Sequence, residues 1–243
     1  MPTPAVHRSP IGVRVVRTDA DLRKVLALRA AAAPGGAAAG SAEPDGFDRL
    51  PNATLLLAES RLDGEALGSL RILTSERGPL TFEGRVALPA AARAESLAEA
   101  SRLVVRRGRH ATLARLMLWK AFHRYCLAAQ IDAMLIAVRE PADRQYAWLG
   151  FTDVLPAGVR FSPEGDGTPT HRLMRLGVFE AHERSLRTGH PLHDFFFVES
   201  HPDIELLAAV GAAATRAPRP AVRAASLPDH AHIAAQLQEL AIV

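Results

Sequence analysis

"EASRLVVRRGRH", residues 99–110, is the stretch from which the fold of this chain can be read. Glu99, Ser101 and Arg102 run into the short β-branched strand "SRLVV" (101–105), and Arg106, Arg107 and Arg109 follow within a few positions. The turn leads into "HATLARLMLWKAFHRYCLAAQ" (110–130), where Met117, Leu118, Phe122 and Tyr125 recur at helical spacing. Arg115, Lys120, His123 and Arg124 lie off that stripe, so they are expected on the helix's charged side. A strand, a cationic turn and a long helix in this order suit an anion, because helix N-terminal amides and the helix dipole both favour negative charge.

Working outward, "IGVRVV" (11–16) alternates as a strand. "TDADLRKVLALRAAAA" (18–33) has helical spacing, with Thr18 or Asp19 as N-cap. "PGGAAAGSAEPDG" (34–46) carries breakers and no period, and is expected to be a mobile loop. "TLLLAES" (54–60) and "ALGSLRILT" (66–74) read as strands joined by an Asp63-Gly64 hairpin turn. Residues 84–98 are alanine-rich and define no element. Beyond the long helix, "DAMLIAVRE" (132–140) reads as a strand and "PADRQYAWLG" (141–150) as a helix closed by Gly150. "FTDVL" (151–155) and "THRLMRLGV" (170–178) read as strands. This order implies an α/β chain with a mixed sheet and helices on its faces. Residues 1–178 form one domain in this reading. Residues 179–243 form a helical C-terminal extension, partly flexible and broken by "RAPRPAVRAASLPDH".

Composition excludes several classes. Cys126 is the one cysteine, so no internal disulfide forms and a reducing compartment is expected. The N-terminus "MPTPAVHRSP" lacks an apolar signal core, and "IELLAAVGAAA" (204–214) is too short to span a bilayer. The expectation is a cytoplasmic protein without stable membrane insertion. Net charge is +3, and only Lys24 and Lys120 are lysines among 29 Lys and Arg. Aromatic residues at 5% supply few stacking platforms, which argues against nucleic acid. His190-x-x-His193 and His230-x-His232 have no Cys or carboxylate set to complete a metal site, so no metal is expected. "DFFFVES" (194–200) suits a docking segment, a core strand or the wall of an acyl tunnel.

The element order, with "YAWLGF" (146–151) closing a helix before a strand, resembles the GNAT (acyl-CoA N-acyltransferase) fold, whose mixed, mostly antiparallel sheet carries flanking helices. Glu-x-Ser-Arg at the head of the fourth strand resembles the signature of acyl-homoserine-lactone (autoinducer) synthases and of long-chain N-acyl amino acid synthases. The resemblance extends to Arg29 in "LALR", Asp45 and Asp48 in "PDGFD", and Arg71 in "GSLR". It covers roughly residues 11–178. Homoserine-lactone synthases usually place aromatics after the first-helix arginine. "AAAAPGGAAAG" stands there instead and favours the N-acyl amino acid branch. "RRGRHA" is only a near match to the acetyl-CoA pyrophosphate motif, which argues against a simple acetyl-CoA user.

The resemblance implies transfer of a long-chain acyl group from acyl carrier protein to the α-amine of an amino acid. The alternatives are acyl-homoserine-lactone synthesis and a non-catalytic acyl-binding protein. No permanently bound cofactor is expected; the acyl thioester, on the carrier or on CoA, is a co-substrate. An amine attacks only when neutral, so Glu99 is the candidate general base; otherwise it pairs with Arg102. Arg102 either grips the acceptor carboxylate or forms an internal ion pair with Asp48. Arg29, Asp45, Asp48 and Arg71 are expected to form one charged network under the 34–46 loop, with Ser101 beside it. Val104 and Val105 would offer backbone to the pantetheine arm, and Arg106, Arg107 and Arg109 would meet its phosphate and the acidic carrier.

Overall fold

The computed structural model describes residues 8–33, 43–162 and 169–206. Thr18 accepts from the Asp21 N–H, and Asp21 answers at the Thr18 N–H, so a capping box starts α1 (Asp19–Ala32) directly after β1 (Ile11–Val15). β2 (Ala53–Ser60) and β3 (Ala66–Thr74) form the hairpin, with Gly64 at φ +71° in its turn, where a side chain would be strained. A short α2 (Ala90–Arg93) precedes β4 (Leu97–Val105), and α3 (Ala111–Ala128) follows it. Then come β5 (Ala133–Arg139), α4 (Asp143–Trp148), β6 (Thr152–Asp153), β7 (His171–Gly177), α5 (Glu180–Arg187), a π-helical turn over Asp194–Val198, and β8 (Ile204–Glu205).

The strands form one sheet in the order β6-β7-β5-β4-β3-β2-β1-β8. Among the described strands, only β4–β5 and β1–β8 pair in parallel. One face packs on α3 through Leu56, Leu70, Ile72, Met117, Leu118 and Phe122. The other face carries α1 through Val25, Leu28 and Leu57, and a second cluster built on Leu73, Leu80, Phe82, Leu97 and Leu135. Alternation along each strand assigns residues to these faces.

Three expectations change. β4 begins at Leu97, inside the alanine-rich stretch, because it pairs on both edges, with β3 and with β5. Pairing of that kind overrides weak intrinsic strand propensity. Secondly, residues 179–206 are not all helical: β8 runs parallel to β1, with Val13 opposite Ile204. Thirdly, Lys120 and His123 on α3 are buried rather than solvated, whereas Arg115 and Arg124 are exposed as expected. "RAPRPAVRAASLPDH", His230, His232 and most of the loop 34–46 lie outside the described residues.

Candidate active site

Two irregularities open the sheet at β4. Its pairing with β5 covers only Leu97–Ala100, whereas its register with β3 continues to Val105. The two parallel strands therefore splay beyond Ala100 and Ile136, and no register pair joins residues 101–105 to β5. The second irregularity is a bulge. Ser69 faces Val104 and Arg71 faces Ser101, so two residues of β4 stand opposite Leu70 alone. At the bulge Arg102 has φ 51°. This left-handed conformation costs a non-glycine residue about 1–2 kcal/mol.

The bulge decides where Arg102 points. In a regular strand Ser101 and Arg102 would face opposite sides. Here Ser101 Oγ accepts from Arg71 Nε at 3.0 Å, and Arg102 Nε donates to Asp45 Oδ2 at 3.0 Å. Both side chains thus join one network on the α1 face. The ion pair of Arg102 is with Asp45, not Asp48.

Five charges alternate along that network: Arg29, Asp48, Arg71, Asp45 and Arg102. Arg29 grips Asp48 with two N–H groups, at 2.6 and 3.2 Å. Arg71 bridges Asp48, at 3.1 Å, and Asp45, and its guanidinium lies 5.4 Å from the Phe47 ring centre. Asp45 also caps the 3-10 turn Gly46–Arg49, which brings both aspartates under α1. Burial alone would raise the Asp45 carboxyl, but Arg71, Arg102 and Arg29 hold it below the usual range. Three cations against two anions leave one surplus positive charge. The network opens to solvent at Arg102, whose side chain is 55% exposed, while those of Arg71 and Asp48 are 3% and 2% exposed.

Glu99 lies inside β4, opposite Leu73, on the same face as Ser101. It is 1% exposed. Thr81 donates to it twice: the backbone N–H to Oε2 at 2.7 Å, and the hydroxyl to Oε1. Burial pushes the Glu99 carboxyl up to about 7, against the two Thr81 bonds and the Arg71 charge, which favour the ionised form. A carboxylate poised near neutrality is suited to take a proton at physiological pH.

Val104 and Val105 turn their side chains into the two cores, Val104 toward α1 and Val105 toward α3. Arg106, Arg107 and Arg109 come together with Arg61 and His110 around a cavity of about 500 Å³ between the β2–β3 hairpin and the start of α3. Arg106 pairs with Glu65 at 2.6 Å at the surface. His110 supplies no side-chain cap to α3, and the helix starts at the edge of that cationic cavity, which His110 and Ala111 line.

A further cavity of about 500 Å³ lies on the opposite, α3 face, lined by Trp119, Met134, Phe151, Leu176, Phe196 and Phe197 among others. Its volume is within the roughly 300–1,000 Å³ of small-molecule sites. "DFFFVES" supplies one wall, as a π-helical turn rather than a strand. Lys120 holds that wall: its ammonium donates to Phe195 O, to Glu199 O at 2.7 Å and to His201 Nδ1 at 2.8 Å. Arg124 adds a bond to His201 O at 2.9 Å. Burial, aided by Arg124 and opposed by Glu199, lowers the Lys120 amine to about 8. Lys120 is therefore an internal tie, not part of a docking face, while Arg124 stays exposed and only its head is bonded to His201.

Sequence reasoning missed Thr81 and Lys120. A lone threonine between Leu80 and Phe82 after Gly78-Pro79 is a local sign of a polar group aimed inward. Nothing near Lys120 announces its partners, which lie 75–81 residues downstream.

A family model described as N-acyl amino acid synthase FeeM matches residues 34–175, more than half of the chain. No curated protein matches it. Among solved structures, FeeM, an N-acyl amino acid synthase from uncultured soil microbes, is similar at 19% identity and TM-score 0.57, over 74% of this chain and 96% of that one. A CoA-dependent acyl-homoserine lactone synthase, BjaI, is similar at 17% identity and TM-score 0.51, over 83% and 99%. At such identities these structures speak for the GNAT fold. Among the described residues no helix is long and apolar enough to cross a membrane.

Proposed function

The chain belongs to the FeeM family of N-acyl amino acid synthases and is an acyltransferase, and from that premise we propose that it moves a long-chain acyl group from acyl carrier protein to the α-amine of an amino acid. One observation carries this reading: a buried, near-neutral carboxylate, Glu99, and a half-exposed guanidinium, Arg102, served by the same strand face. Arg102 meets the acceptor carboxylate, since its planar fork matches two oxygens and the network's surplus positive charge emerges there. Asp45, Asp48, Arg29 and Arg71 hold it in place, and Ser101 fixes Arg71.

Glu99 accepts a proton from the acceptor's ammonium, directly or through one water. The freed amine attacks the thioester carbonyl carbon. A C–N bond forms, the C–S bond breaks, and the second amine proton leaves with the thiol. The splayed backbone of residues 101–105 supports a pantetheine arm, and the turn from Arg106 to Arg109 supports its phosphate. The apolar cavity behind the sheet supports a long acyl chain. A lone buried Cys126 suits the cytoplasm as the setting.

The test is the lipid extracted from cells expressing the protein, with steady-state rates for decanoyl acyl carrier protein and decanoyl-CoA at several ionic strengths. An N-acyl amino acid by mass, and a carrier-specific fall of kcat/KM as salt rises, are expected. An acyl lactone, or equal salt dependence with preference for CoA, overturns the proposal.

A further inference from the structure

We propose that Thr81 is the positioning residue for Glu99: it fixes both carboxylate oxygens and sets the pH at which that carboxylate takes a proton. This rests on Glu99 being the base. The geometry is specific. One residue provides two donors to two different oxygens, its backbone N–H to Oε2 at 2.7 Å and its hydroxyl to Oε1. The terminal torsion of a glutamate is otherwise broad, so this pair of bonds orients the carboxylate within the core. The two donors differ in kind. An N–H only donates, whereas a hydroxyl also accepts. When Oε1 is protonated, the Thr81 hydroxyl can turn and accept the new proton's hydrogen bond, and Oε2 keeps its amide partner. Both states of Glu99 are then satisfied without movement of the backbone.

Thr81 is itself held. It lies between Leu80 and Phe82, each 1% exposed, in the connection from β3 to α2. Asn52, 3% exposed just before β2, donates to Thr74 O at 2.9 Å and to Pro79 O at 3.1 Å, pinning both ends of the turn that delivers Thr81. Gly78 packs so closely there that a Cβ would stand 2.7 Å from Asn52 Oδ1. The charged groups bearing on Glu99 are Arg71 from β3, which favours the carboxylate, and Glu83 from the same connection, which opposes it. Thr81 supplies the hydrogen bonds to both of its oxygens and is its local control.

The experiment compares wild type, Thr81→Val, Thr81→Ser and Glu99→Gln, with decanoyl acyl carrier protein and a mixture of the twenty amino acids as probes. The readouts are the pH profile of kcat/KM, the titration of the Glu99 carboxyl by 13C NMR, and Tm. Valine keeps the shape and the N–H but removes the hydroxyl. Hydrogen bonds to charged groups are the strong ones, so the acidic limb and the NMR titration should move up together by roughly one to two pH units. Serine should restore both. A merely structural role would lower Tm and leave the limb in place. An unmoved limb in Thr81→Val, or a serine variant shifted as far as valine, overturns the proposal while leaving Glu99 as base. If Glu99→Gln stays active, the base assignment fails, and the NMR titration still decides the part of Thr81. Should valine prevent folding, Thr81→Ala carries the same comparison.

Discussion

Removing one charge from the network should cost very different amounts at its two aspartates. Asp48 Oδ2 accepts from Arg29 and from the Asp45 N–H, and Oδ1 accepts from Arg29 and Arg71. In Asp48→Asn, whichever way the amide turns, its NH2 faces two donors and both bonds are lost. The side chains of Arg29, Asp48 and Arg71 are at most 10% exposed, so the two arginines lose a shared anion where water cannot replace it. Breaking a buried pair in this way costs about 3–5 kcal/mol. Asp45 is built otherwise. Its Oδ1 accepts from Phe47 N, Asp48 N and Arg71, while its Oδ2, among the described residues, serves Arg102. In Asp45→Asn the oxygen keeps the first set and the NH2 faces a half-exposed arginine that can swing into water. Asparagine also remains a good cap. A loss of about 1 kcal/mol is expected, the scale of an exposed pair. Urea unfolding followed by the fluorescence of buried Trp119 measures both, with the slope checked for constancy. Equal losses within about 0.5 kcal/mol, or less than about 1 kcal/mol for Asp48→Asn, would refute the distinction between the buried and open ends of this network.

Glu99→Gln should lower kcat by roughly 10²–10⁴, the usual worth of a general base, and near-native turnover at pH 7 would remove Glu99 from the mechanism. Glu99 also holds its proton longer in the folded chain, up to about 7 against an ordinary 4.5. Its contribution to stability is therefore present below about pH 4.5 and lost as pH rises through 7, and Glu99→Gln should flatten that decline in a urea series. Arg102→Lys should raise the acceptor KM, because a point charge replaces a fork; an unchanged KM and kcat with a lower Tm would make Arg102 purely structural. Arg106→Glu with Arg107→Glu should raise KM for acyl carrier protein and weaken its salt dependence, and an unchanged salt profile would separate that turn from the donor. The Lys120 amine is lowered to about 8 in the fold, so stability should rise between about pH 8 and 10.5, where the unfolded chain binds more protons; Lys120→Met should remove this rise and, by stranding Phe195 O and Glu199 O, cost about 1–3 kcal/mol for each.

How far these features could be read in advance follows from the range of the forces behind them. The hairpin at Asp63-Gly64, the Thr18 cap and α3 are written in local chemistry, and the structure has them where the residues put them. The order Arg29, Asp45, Asp48, Arg71, Ser101, Arg102 was legible as a set of residue types, but not the pairing within it. That pairing depends on a bulge no residue of "SRLVV" announces: there is no glycine at the left-handed position, which Arg102 occupies at φ 51°. The first half of β4 was hidden because alanines carry little strand propensity, and its two neighbours supply what they lack. Lys120 reads as a surface cation in any local window. It is buried because carbonyls from the π-helical turn and the segment after it arrive to meet an ammonium with three donors.

The sheet keeps two kinds of energetics apart. On the α3 face, Leu56, Leu70, Ile72, Met117 and Phe122 are fully buried, and the stability of the fold rests on area removed from water. On the α1 face, Arg71, Glu99 and Asp48 are just as buried, although desolvation there opposes folding. Such a face persists because its charges are bonded to one another and to Thr81 and Ser101, although Arg29 Nε is buried without a hydrogen-bond partner among the described residues. The strained Arg102 stands apart, being half in water and held by one carboxylate. Strain maintained at the one open end of an otherwise closed network marks the point where a ligand can gain most by binding. A carboxylate arriving there would complete the alternation of charges with a third anion for the third arginine.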